Sequence, residues 1–280
     1  MKRIAYILAS IFTLTACGQL DSIPYAPAQT PETWLQIQPY AQFKDVIFVQ
    51  PSTSVIVYLL GIITIVIGFF FLKTRNDQRS RFWWGIALLL WGIGALLAGT
   101  SYEAFSYAIK CAGRDACLWT SWWEVLYLIA SVWSIDAMML AVTHSSTTGK
   151  VRAALSVYAL LNAVIYFIVV IVGAFIPVKF LISFELLLIV AAPSIIAFFV
   201  INGSRYVKLK QPLDLLYLGT WIWLAITIAA YFLYLISGNT ATLWAKGMWF
   251  SENDVLHIGL ILWMLYIRFS LAPRITNLTA

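Results

Sequence analysis

Seven long apolar runs, at approximately 53–73, 83–109, 119–143, 152–176, 178–201, 213–237 and 253–272, leave this chain few ways to fold. A helix rising 1.5 Å per residue crosses a hydrocarbon core of roughly 30 Å with about twenty residues, and each run has that length. In such a medium a segment must satisfy its own backbone hydrogen bonds, which a continuous helix does. The reading is an all-α polytopic membrane protein, with a seven-helix transmembrane domain over 53–272. Charged residues make up only 11% of the chain, against about a quarter in soluble domains. The formal charge of +6 does not indicate nucleic acid, because the basic residues lie in short clusters between the runs. There they act as topology signals, and no nucleic-acid partner is expected.

Those clusters alternate. Lys73, Arg75, Arg79 and Arg81 follow the first run, Lys150 and Arg152 the third, and Arg205, Lys208 and Lys210 the fifth. The bias predicts that these loops are cytoplasmic, that the amino terminus is outside and that a tail at 273–280 is inside. The amino terminus agrees: "MKR", "IAYILASIFTL" and "LTAC" form a basic region, a short apolar region and small residues before a cysteine. This resembles a bacterial lipoprotein signal. It implies removal of residues 1–16, acylation (palmitate included) of Cys17, and residence in the bacterial cell (inner) membrane. Residues 17–52 hold several prolines and no clear period, and read as an exported irregular tether.

Cys111 and Cys117 flank "AGRDA" in a loop predicted to be exported, where a disulfide persists. A metal pair is the rival reading, but no histidine lies nearby in sequence. The short "AFIPVK" connection makes runs four and five antiparallel neighbours. Pro193 is expected to kink run five. The small residues of "GIGALLAGTS" in run two allow a close helix approach.

Ionisable groups inside spans are costly and mark functional candidates. Four runs place polar residues toward the predicted outer face: Ser101, Tyr102 and Glu103 in run two, Glu124 in run three, Glu185 in run five, and Asn253, Asp254 and His257 in run seven. Asp254 and His257, three residues apart, share a helical face. A carboxylate beside an imidazole fixes its tautomer and raises its basicity, as in general bases and metal ligands. The competing reading makes Asn253 and Asp254 the cap of the seventh helix, since "SEND" before an apolar run is a helix-start signal. Asp136, near mid-membrane, is expected to be protonated or paired with a buried polar group. His144, at the opposite end of its run, reads as a loop residue.

This arrangement resembles the CREST superfamily, which includes alkaline ceramidases and progestin and adipoQ receptors. The matching elements are Ser101 with Tyr102 in "GTSYEAF", Glu124 in "WTSWWEVLY", and Asn253 with His257 in "NDVLH". The resemblance implies a seven-helix metallohydrolase of lipid amides or esters, with Ser101 and Glu124 as catalytic groups; Asp254, sharing a face with His257, is the further catalytic candidate. It departs from the family in its ligands: two histidines in the whole chain preclude a three-histidine zinc site. A zinc ion would need oxygen donors, with His257 joined by Glu103 and Glu185. The alternative is a non-catalytic membrane lipoprotein that binds lipid or a membrane protein partner. A retinal protein is excluded, because run seven has no lysine for a Schiff base.

Overall fold

A computed structural model describes residues 19–278. Within it seven helices are long and apolar enough to cross a membrane: Pro51–Lys73, Arg79–Ala104, Trp122–Ser146, Gly149–Phe175, Phe184–Leu209, Pro212–Ser237 and Glu252–Arg274. We number these spans one to seven. The protein is an all-α seven-helix bundle. The signal segment and Cys17 lie outside the described residues.

The helix limits have local causes. Proline opens spans one and six at Pro51 and Pro212, where its missing N–H has no partner to lose and its φ is already helical. The Ser183 side chain accepts from Leu186 N to start span five. Gly238, at φ 67°, ends span six in the left-handed region that glycine enters without a Cβ clash. Pro193 lies inside span five, which is helical without a break from Phe184 to Leu209.

Consecutive spans run antiparallel. Spans one and two, two and three, three and four, five and six, and six and seven pack together, and span seven returns against span one. Span three also packs on span five. It is the most enclosed, with 72% of its apolar window inside the protein, against 17% for span four. Asp136 Oδ1 accepts there from Asn162 Nδ2 at 2.9 Å, while its Oδ2 has no hydrogen-bond partner.

Spans one and two approach closely through glycines. A Cβ added at Gly92 would lie 2.8 Å from Gly61 O, and one at Gly85 would lie 3.1 Å from Gly68 O. Near the end carrying the basic loops, an aromatic column forms the core. Phe198 and Trp221 stack at 4.2 Å, Trp84 and Trp221 at 6.1 Å, and Phe71 and Trp84 at 6.2 Å. The carboxyl-terminal residues pack back across this basic end, with Leu278 N donating to His144 O at 2.9 Å.

The opposite, tether end corrects one expectation. Residues 19–50 are not an irregular strand of chain but a built cover. They contain a short helix, Pro31–Gln36, and an antiparallel hairpin pairing Tyr40–Phe43 with Val46–Val49. Pro24 bridges Leu118, and Cys117 N donates to Gln29 O. The segment's own sequence lacks period, so order comes from docking: Trp34 buries itself against Cys111 and Cys117, which are joined by a disulfide.

Candidate functional site

Span two does not reach its tether end as a regular α-helix. Residues Gly99–Ala104 form a π-helical turn, with Phe105 N donating to Thr100 O at 3.0 Å. Such insertions often occur where a helix positions functional groups. Thr100 Oγ1 supports the turn, donating to Leu96 O at 2.7 Å and bonding Tyr58 OH at 2.8 Å. Ser101 and Glu103 are both buried. They serve different neighbours.

Ser101 faces span three. Its Oγ donates to Glu124 Oε1 at 2.8 Å and shares a hydrogen bond with Ser121 Oγ at 2.6 Å. The same carboxylate oxygen receives Lys110 Nζ at 2.5 Å, and the two side chains are 1% and 2% exposed. Lys110 belongs to the five-residue helix Ser106–Lys110 that follows the π turn. Its ammonium lies 5.0 Å from the Tyr102 ring centroid, 5.7 Å from Trp34 and 5.8 Å from Tyr25. Aromatic faces attract a cation electrostatically, most strongly where water is excluded. Tyr25 and Trp34 come from the tether, so that segment completes the cage. Burial raises the Tyr25 phenol above its ordinary 10.0, opposed by the Lys110 charge.

Glu103 does not join that network. It comes within electrostatic range of Asp254 on span seven, and its Oε2 has no hydrogen-bond partner. Asp254 is engaged in starting span seven: its Oδ2 accepts from Ser251 N at 2.6 Å and Ser251 Oγ at 3.1 Å. That is a capping box, the plainer of the two readings of "SEND". Asp254 Oδ1 is unpartnered, and so is His257 Nδ1, whose ring is buried one turn below. Asn253 is only half-buried.

Glu185 is exposed in the first turn of span five. Its predicted place as a metal donor with His257 and Glu103 is corrected by that position. Span five packs chiefly on spans three and six, and the Glu185 side chain makes no hydrogen bond or ion pair with His257 or Glu103. Among the described residues no three of His, Cys, Asp and Glu converge as a ligand set. Glu124 is held by Lys110 and Asp254 by the helix start. The donors present do not fit the zinc site implied by the resemblance, and no chemical step is derived through a metal.

Of the expected catalytic residues, Ser101 and Glu124 meet directly, whereas Asp254 stands apart from them at the start of span seven. Sequence reasoning missed Lys110, which reads there as a loop charge. The available signal was its position at the end of an apolar run, beside the aromatic "SYEAFSY". Comparison of the chain with protein-family models, curated proteins and solved structures finds no match.

Proposed function

We propose that this chain is a non-catalytic lipoprotein of the bacterial cell membrane that holds a lipid or a membrane protein partner at its exported tether end. The scaffold resembles the CREST plan, with its hydrolytic position closed. One observation carries the reading: the Glu124 carboxylate is neutralised by Lys110 at 2.5 Å beneath the Tyr25 and Trp34 rings. A hydrolase needs that carboxylate open to water and substrate; here it anchors the cover. Binding at this end is supported by exposed apolar side chains in the cover and the adjoining loop. Ile37 is 57% exposed, Phe43 68% and Met248 54%. The Ser52 hydroxyl donates to Trp249 O, joining that loop to the start of span one. Apolar groups clustered at one end of a protein mark contact surfaces.

The rival reading, a metal-assisted lipid hydrolase, draws support from the unpartnered Glu103 Oε2, Asp254 Oδ1 and His257 Nδ1. Metal analysis of the purified full chain, with hydrolysis of fluorogenic lipid esters and amides, separates the two. The non-catalytic reading expects no turnover that His257→Ala or Glu124→Gln removes. Stoichiometric metal with turnover lost in His257→Ala would overturn it.

A further inference from the structure

At the basic end, remote from the tether, a cavity of about 550 Å³ opens between spans two, three and four. Its lining includes Arg79, His144 and Arg152, together with Phe82, Trp83 and Leu160. No lining residue is acidic. Among the described residues, neither Arg79 nor Arg152 takes part in an ion pair. A second cavity at this end, lined by Arg205 and Arg274, differs in that Arg205 is matched by Asp214 at 3.0 Å. The first cavity therefore brings together two guanidinium groups, Arg79 and Arg152, with no acidic partner among the described residues.

Arg152 is positioned rather than loose. Its Nε donates to Thr147 O at 2.9 Å and its Nη2 to Leu278 O at 2.7 Å, bonds that leave Nη1 uncommitted. The amino terminus of span four joins the rim at Gly149, with no side-chain cap on its first turn. From this rim the lining becomes apolar with depth. Leu160 lies eight positions beyond Arg152 on one helix, about 12 Å deeper at 1.5 Å per residue. It is 55% exposed, on the span that faces outward over most of its length. A basic rim above an outward-facing apolar wall has the order of groups found in a phospholipid, anionic phosphate first and acyl chain below. A free anion would match the rim but not the wall.

We propose that this cavity binds an anionic phospholipid of the leaflet adjoining the basic loops. The phosphate lies on Arg79 and Arg152, and an acyl chain lies along Phe82, Trp83 and Leu160. Juxtamembrane basic groups favour anionic lipid by roughly fivefold each. The inference is independent of whether the tether end is catalytic.

The test is native mass spectrometry of the full chain in detergent with phosphatidylglycerol or phosphatidylcholine added. The wild type should retain phosphatidylglycerol several-fold over phosphatidylcholine. Arg79→Gln should lower that preference by about fivefold, and Arg79→Gln with Arg152→Gln should abolish it. Arg79 is exposed, so its single variant keeps the test valid if the double variant misfolds. Lys208→Gln with Lys210→Gln, at the same end but outside the cavity, should leave the preference intact. Equal retention of the two lipids, survival of the preference in Arg79→Gln, or its loss in the lysine variant would overturn the proposal. Displacement of the lipid by excess inorganic phosphate would overturn it as well, assigning the rim to a free anion.

Discussion

Lys110 Nζ lies 2.5 Å from Glu124 Oε1 with neither side chain reaching solvent, so a short helix after span two is locked to the first turn of span three. Removing one member of a buried pair strands the other charge, at a cost of about 3–5 kcal/mol. Lys110→Met and Glu124→Gln should each lower thermal stability by that order, and the double variant should recover much of the loss. Unfolding in detergent, read as a double-mutant cycle, measures it. Additive losses would show that the two groups act separately.

The Cys111–Cys117 disulfide closes a small loop beneath Trp34. By loop-closure entropy such a bond contributes about 2 kcal/mol. Replacing both cysteines with serine should expose the hairpin at 40–49 to protease while leaving the seven spans intact. Limited proteolysis followed by intact-mass analysis gives the readout. An unchanged cleavage rate would separate the cover from the disulfide.

Docking of the cover should also fail in alkali. The Tyr25 phenol titrates above its ordinary 10.0 because the folded protein buries it. A raised value means that the neutral ring's contribution is complete below pH 10.0 and is lost as pH rises through the folded value. Protease sensitivity of residues 19–50 should therefore increase above about pH 10. Tyr25→Phe should remove that step, and a step that persists in Tyr25→Phe would assign it elsewhere.

Asp254 and His257 provide a sharper division between helix capping and chemistry. Loss of the capping box in Asp254→Ala should cost about 1–2 kcal/mol, while Asp254→Asn, which keeps an acceptor for Ser251 N, should cost less. The two side chains share no hydrogen bond, so His257→Ala should combine additively with Asp254→Ala. A coupling well beyond about 0.5 kcal/mol in thermal unfolding would return them to one working pair.

The seven spans were legible because hydrocarbon imposes length and apolarity on each segment separately, and both are local properties. The close approach in run two was readable for the same reason, since Gly92 announces it without reference to Gly61. Span five was underestimated at its basic end. The chain continues helically to Leu209, and Arg205, a charge past the end of the apolar run, is matched there by Asp214 on the next span. The site was legible only in pieces. Ser101 and Glu124 do meet, but Lys110 gives no sign of its partner, because the pairing depends on a π turn and on rings donated by a distant tether. Glu185 misled because depth along a helix says nothing about the direction a side chain takes.

The column of Phe71, Trp84, Phe198 and Trp221 ties together spans one, two, five and six. Trp84 and Trp221 lie nearly parallel with centroids 6.1 Å apart. Any rearrangement that separates span two from span six must part these rings, so slippage between the two helices forfeits ring stacking as well as apolar burial.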